Sequence, residues 1–240
     1  MRSAASNWKS GRLVTDPSTL HGKWKALGDR QISLHETPCI VTSPPGRCDG
    51  LVNPANELLQ GTLFTPSECA RYLLSETIIY PPQAIDGIVT ELGGAALADA
   101  LLAMPMLAHG RRCPTGSAVT TPAYGELLAC FTHIVHACAP FYGSAEWRDA
   151  LRSCYHAAFD AADDAGCAVL AVPLLGAGAR GAPAAEASRV AAEAAAHWMP
   201  SRSEGSASAS AGLQDIRFGT QQPEVAQLML EELDAVLARI

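Results

Sequence analysis

Apolar residues recur along this chain in two rhythms, one of alternating or short unbroken runs and one at helical spacing. Gln31–Leu34, Cys39–Thr42, Gly50–Asn53, Ala118–Thr121, Phe131–Ala137, Ala168–Val172 and Asp215–Phe218 have the length and aliphatic, β-branched content of strands. Between them lie helical stretches. Thr65 to Tyr80 is opened by Thr and Ser caps and stopped at Pro81-Pro82, and Ile85–Met104 repeats apolar residues at helical spacing up to Pro105. Ala145–Ala165 puts Leu151, Tyr155, Ala158, Phe159 and Ala162 on one face and closes at Gly166. Ala184–His197 and Glu224–Ile240 complete the set. Strands that alternate with helices predict an α/β sandwich whose ligand loops sit at the strand ends.

The densest local signal is Val172-Pro-Leu-Leu-Gly176-Ala177-Gly178-Ala179-Arg180-Gly181-Ala-Pro183. A buried strand runs into Gly-x-Gly-x-x-Gly, and an Ala-rich helix follows with Pro183 at its first turn. Glycines let the backbone approach a ligand, and the free N–H groups and dipole of a helix start favour negative charge. The pattern predicts a phosphate or diphosphate cradle, with a plain tight turn as the alternative. A dinucleotide-binding unit fits poorly. Such a unit needs a second strand ending in an acidic residue about 20 residues on. Here that distance leads into Ser201-Arg-Ser-Glu-Gly-Ser-Ala-Ser-Ala-Ser210, and only one strand and one helix remain.

A hydrophobic content of 48% against 17% charged residues in 240 residues describes a globular chain with one sizeable core. Its net charge of −7 argues against an extended nucleic-acid surface. Every apolar stretch is interrupted by Pro, Arg, Asp or His before it reaches membrane-spanning length, so no membrane partner is expected. Eight scattered cysteines without a C-x-x-C pair read as free thiols of a reducing compartment, and no signal-peptide core opens the chain. An intracellular location, cytoplasmic or nuclear, is therefore expected. Met1–Arg12, basic and Ser-containing, reads as a frayed tail and leaves organelle import open.

Five segments in order, together with a Cys-Tyr pair, resemble the macrodomain family of ADP-ribose-binding α/β/α modules. Asp49-Gly-Leu-Val-Asn-Pro-Ala-Asn56 is similar to the family's D-A-I-V-N-A-A-N. Ile85-Asp86-Gly87 through Gly94 and Leu97 keeps the spacing of V-D-G-A-I-H-x-A-A-G-x-x-L without gaps. Cys113-Pro-Thr-Gly-Ser-Ala-Val119 resembles C-x-T-G-x-A, and His133-Ile-Val-His-Ala-Cys-Ala-Pro140 resembles V-I-H-T-V-G-P. The glycine loop matches P-A-I-S-T-G-I-Y-G-Y-P in spacing, and Cys154-Tyr155 stands where the family has a C-Y helix. The resemblance covers about Gln31 to Ile240. It implies a mixed central sheet and one macro domain over 31–240, after an N-terminal extension of 1–30, with an insertion at about 63–80 that can act as a lid and a flexible linker at about 200–212.

What the resemblance implies for the site can be stated residue by residue. Asn56 is the candidate for the distal ribose, with a loop-organising Asx turn as the alternative. Asp86 would orient or activate the water that attacks ribose C1″, with a helix N-cap as the alternative. Asn53, Gly176, Ala177, Gly178, Ala179, Arg180 and Gly181 join them as ligand-binding residues. Arg180, which replaces an aromatic residue of the loop, either supplies charge to a diphosphate or points to solvent. Phe141 and Tyr142 either stack on the ligand or cover a core edge. The chain also departs from the family. Tyr80-Pro81-Pro82-Gln83-Ala84 stands where a glycine run is usual, Thr90 where a His is common, and Cys39-Ile40 where an acidic residue reads adenine.

No cofactor and no metal are expected, because His133 and His136 point to opposite faces of a strand and no further ligand joins His136 and Cys138. Two functional readings result. One is an ADP-ribosylhydrolase or O-acyl-ADP-ribose deacylase that uses Asp86 and Asn56. The other is a non-catalytic reader of ADP-ribose or of ADP-ribosylated protein, favoured by the lost glycine run and the lost His.

Overall fold

The computed structural model describes residues 18–25, 30–61, 84–201 and 212–239. The expected helix and lid at 63–80, the linker at about 200–212 (apart from its two ends) and the tail Met1–Arg12 lie outside the described residues. Seven strands form one sheet: β1 (Thr19–Lys25), β2 (Gln31–Glu36), β3 (Gly50–Pro54), β4 (Ala118–Pro122), β5 (His133–Ala137), β6 (Val169–Val172) and β7 (Asp215–Thr220). The helices are α1 (Ile85–Ala103), α2 (Trp147–Asp164), α3 (Ala184–Ser201) and α4 (Pro223–Leu237). The strand order is β1-β2-β7-β6-β3-β5-β4. The five inner strands are parallel, and the two edge strands, β1 on β2 and β4 on β5, run antiparallel.

Strand alternation builds the two cores. Leu34, Val52, Val135, Val172 and Phe218 point to one face, where they pack with Leu151, Tyr155, Phe159, Ala191 and Met229 of α2, α3 and α4. Leu51, Ile134 and Ala171 point to the other, against Val89, Leu97 and Leu101 of α1. The result is a three-layer α/β/α sandwich with a mixed sheet. A latch fixes the register of its centre: Asp49 Oδ2 accepts the backbone N–H groups of Ala168 and Val169 at 3.0 and 2.9 Å, just before β3 and at the start of β6.

Two expectations need correction. Cys39–Thr42 is a turn and not a strand, with the Ser43 N–H donating to the Cys39 carbonyl at 2.7 Å. Pro44 and Pro45, which follow, have no N–H for a ladder, while Ile40 and Val41 plug the α1-side core. The span 1–30 is also more than an extension. Thr19–Lys25 pairs with β2 through a bulge between Leu20 and Gly22, and Trp24 donates to Asp234 Oδ1 of α4 at 2.8 Å. Polar residues on both sides of this edge strand hide it from a hydrophobic-pattern search.

Because β2, β3, β5, β6 and β7 are parallel, their carboxyl ends and the loops that follow gather on one rim of the sheet. That rim is where an open α/β sheet binds ligands.

Candidate functional site

A cleft of about 450 Å3 opens on this rim. Its walls are the glycine loop (Pro173, Leu174 and Gly176 to Arg180), Pro54 at the end of β3, Ala139 after β5, the turn at Pro38 to Ile40, and Gly219 to Gln222 at the end of β7 and just beyond it. The starts of three helices also reach it, at Ala84 and Ile85 of α1, Ala184 of α3 and Gln222 of α4. Ala84 and Gln222 are the N-cap positions of α1 and α4, and neither makes a side-chain cap hydrogen bond. First-turn N–H groups left without such a partner are donors for an anion.

The glycine loop lines the same cleft. Gly176 takes φ +84°, a left-handed conformation that a side chain would strain. The loop closes on itself, with the Gly181 N–H donating to the Gly178 carbonyl at 2.9 Å and the Ala182 N–H to the Gly176 carbonyl at 3.0 Å. Among the described residues, the N–H groups of Ala177, Gly178 and Ala179 have no backbone partner. A Cβ built on Gly178 would meet nothing within 4 Å, so the space in front of this glycine is open. From below, buried Tyr155 holds the loop by accepting the Leu175 N–H on its hydroxyl oxygen at 2.8 Å.

Among the wall residues Arg180 alone is charged, and its guanidinium takes neither of the two expected positions. It is buried, donating from Nη1 and Nη2 to Glu57 Oε1 and Oε2 at 3.2 Å each and to Cys138 Sγ at 3.5 Å. The Phe141 ring lies 4.3 Å from the guanidinium carbon. Burial works to raise the Glu57 carboxyl pKa, but the Arg180 hydrogen bond and charge outweigh it and hold the value below the usual carboxylate range. Glu57 also accepts from Thr115 Oγ1 at 3.1 Å. It carries no local motif, and only the fold brings it to Arg180. Phe141 is thus spent on Arg180, while Tyr142 packs edge-on against Trp147 with centroids 5.0 Å apart and donates to Glu186 at 3.0 Å.

Asp86 and Asn53 are brought together beside the cleft, although neither is itself a wall residue. Asn53 Nδ2 donates to Asp86 Oδ1 at 2.7 Å, and Asp86 does not cap its helix. Its other oxygen, Oδ2, is buried without a hydrogen-bond partner. Burial pushes the Asp86 carboxyl up to about 6, against the opposing pull of the Asn53 donor. Asn56 does form the Asx turn: Oδ1 accepts the N–H groups of Leu58 and Gln60 at 3.1 and 3.4 Å, leaving Nδ2 buried and unpartnered. Thr90, in the position of the family His, donates to the Asp86 carbonyl at 2.7 Å. His136, weighed only as a metal ligand in the sequence, is fully buried and approaches Asn53 Nδ2 at 3.2 Å. Among the described residues no cluster of His, Cys, Asp or Glu is arranged to hold a metal ion. No helix among them is long and apolar enough to cross a membrane.

A curated macro domain-containing protein of Caldanaerobacter subterraneus subsp. tengcongensis is 31% identical over 155 residues, covering 62% of this chain and 81% of that protein. Among solved structures, an Oceanobacillus iheyensis macrodomain variant with ADPR superposes with a TM-score of 0.67 at 18% identity, over 92% of this chain and 99% of that one. The Trypanosoma brucei macrodomain in complex with ADP-ribose gives a TM-score of 0.60 at 18% identity, over 83% of this chain and 68% of that one. These two likenesses concern the fold. The Macro domain family model matches residues 52–191, from β3 through the first turns of α3, and with this match the chain belongs to the macro domain family.

Proposed function

We propose that the cleft binds ADP-ribose and that the chain hydrolyses mono-ADP-ribosyl esters or O-acyl-ADP-ribose there. One observation carries the binding reading: three helix N-termini and the unpaired N–H groups of Ala177, Gly178 and Ala179 converge on a cleft whose single cation is already neutralised by Glu57. Such a site takes an anion through backbone dipoles. The diphosphate belongs at the glycine loop. The base then lies toward Ile40, Thr220, Gln222 and Val225, where apolar surface meets amide and hydroxyl groups. The distal ribose extends toward Asn56 and Asp86, where Asn56 Nδ2 and Asp86 Oδ2 are both buried polar atoms in need of a partner.

With its proton affinity near 6, Asp86 is mostly a carboxylate at neutral pH and can take a proton from water. For a mono-ADP-ribosyl ester the water oxygen bonds to ribose C1″ as the C1″–O ester bond breaks and the acid leaves as its carboxylate; for O-acyl-ADP-ribose the water oxygen bonds to the acyl carbon as the acyl C–O bond breaks, and the ribose oxygen leaves with a proton as a hydroxyl group. A second reading, a reader without turnover, is favoured by Asp86 lying off the cleft wall, which its neighbours Ala84 and Ile85 form instead.

The test is calorimetry with ADP-ribose, followed by release of ADP-ribose from a mono-ADP-ribosylated protein by the wild type and by Asp86→Ala. Binding with Asp86-dependent release supports the hydrolase, binding without release leaves the reader, and no heat at millimolar ligand removes both.

A further inference from the structure

Asn53 is the residue whose surroundings differ most from its expected role. Its two amide hydrogens are used inside the protein, one on Asp86 Oδ1 at 2.7 Å and one on His136 Nδ1 at 3.2 Å. His136 Nδ1 is then the accepting nitrogen, so by this network Nε2 carries the proton and donates it to Thr121 Oγ1 at 3.1 Å. A chain of hydrogen bonds therefore runs Thr121, His136, Asn53, Asp86 across β4, β5, β3 and α1. All four residues are buried.

We propose that Asn53, oriented by His136 and Thr121, is a positioning residue that occupies Asp86 Oδ1 and leaves Oδ2 as the one oxygen able to meet substrate or water. The proposal rests on the hydrolase reading for its catalytic consequence, but its geometric content does not. An Asn amide has two orientations of nearly equal shape. The flipped one would set its oxygen against the Asp86 carboxylate and against the lone pair of His136 Nδ1, both acceptors. The Asp86 carboxylate can only accept, so it selects the orientation in which the Asn53 amide group donates; the second amide hydrogen then requires His136 Nδ1 as its acceptor, and Thr121 Oγ1 accepts from the Nε2–H that this leaves on the ring. With Oδ1 held, the carboxyl group cannot rotate, and the direction of Oδ2 is set before substrate arrives.

Among the described residues few other charges act on Asp86. β3 and β4 carry no ionisable side chain, while Glu91 and Asp99 of α1 and Glu126 of the short 3-10 helix Gly125–Ala129, which packs on α1, are exposed. Glu57 is paired with Arg180, and burial keeps His136 neutral, its pKa lowered to about 3. The donor from Asn53 is therefore the adjustable influence on the Asp86 proton, opposing burial.

The experiment follows the Asp86 carboxyl carbon by NMR between about pH 4 and about pH 8 in the full chain, for the wild type, Asn53→Ala, Thr121→Val and Thr121→Ser. The Asp86 midpoint should move to higher pH by about half a pH unit or more in Asn53→Ala, since the carboxylate loses its donor. Thr121→Val, nearly the same shape, should move it the same way by less, and Thr121→Ser should restore it. The acid limb of kcat should follow the same order while ADP-ribose affinity stays within about twofold. An Asp86 midpoint that is the same in Asn53→Ala, or the same in the Val and Ser variants, overturns the proposal. Wild-type protein without turnover defeats the hydrolase reading alone, because the carboxyl midpoints still decide the positioning role.

Discussion

Arg180 and Glu57 form a two-pronged ion pair, with both nitrogen–oxygen distances at 3.2 Å, that ties the glycine loop to the segment after β3. The two residues are 123 positions apart, and their side chains are 2% and 5% exposed. The pair converts what looks like a ligand-facing arginine into a strut behind the loop, and it sets the first prediction. Removing one partner leaves a buried charge without compensation. Arg180→Ala should lower stability by about 3 to 5 kcal/mol and weaken ADP-ribose binding through the loosened loop. Replacing Arg180 and Glu57 together with Met should recover most of the stability in a urea titration. Full stability in the single variant would show that the pair contributes nothing.

Gly178 and Gly176 should respond differently to substitution. Gly178→Val puts its side chain into open space in front of the loop, so the melting temperature should hardly change while ADP-ribose binding is lost. At Gly176 the Cβ has ordinary room, its nearest neighbour being Leu151 at 3.5 Å, but φ is +84°. Gly176→Ala should therefore cost about 1 to 2 kcal/mol from backbone strain. Thermal melts and calorimetry on the two variants check both statements. Normal ligand affinity in Gly178→Val would remove the diphosphate from this loop.

Asp86→Asn should separate catalysis from stability. The carboxyl pKa in the fold is raised from 3.8 to about 6, so the stability this group contributes is full below pH 3.8 and is lost as the pH rises through about 6. Asn has no such loss. At pH 8 the variant should be more stable than the wild type, by up to about 3 kcal/mol, and should release no ADP-ribose. His136 and His35, whose values burial lowers to about 3 and about 4, act in the opposite sense. They lose stability as the pH falls below 6.5 in both proteins alike, so the difference between the two urea midpoints isolates Asp86. A variant that is equally stable at every pH would mean that burial does not perturb this carboxyl.

Much of this arrangement is legible in the sequence, for a physical reason. The inner strands, the helices at 85–103, 147–164, 184–201 and 223–237 and the glycine loop after β6 come from local periodicity and from glycine and proline placement, while the order of the strands in the sheet does not. Side-chain partners are different. Nothing near Arg180 in the chain points to Glu57, and nothing near His136 points to Asn53, because both pairs are made when β5 is laid beside β3 and the β6–α3 loop closes over them. Asp86 reads equally well as a helix cap or as a site residue until Asn53 is seen to hold it. Strand β1 is missed because edge strands need no continuous apolar face.

Tyr155→Phe should weaken the loop from below. It removes the hydroxyl that accepts the Leu175 N–H at 2.8 Å and leaves that donor buried. A cost of about 1 to 3 kcal/mol is expected, with faster amide hydrogen exchange at Leu175. Unchanged exchange at Leu175 would show that water replaces the hydroxyl.

A pocket that meets its anion with amide hydrogens and helix ends carries no mobile counter-charge for dissolved ions to screen. Raising salt from about 0.05 M to about 0.5 M should therefore change ADP-ribose affinity only slightly, unlike a lysine-lined phosphate site. The same construction makes the pocket tolerant of drift. Its donors belong to the main chain, which every amino acid except proline supplies alike, so wall residues can be exchanged without loss of affinity where the new side chain leaves the space in front of Gly178 open and the path of the backbone from Pro173 to Ala184 is kept.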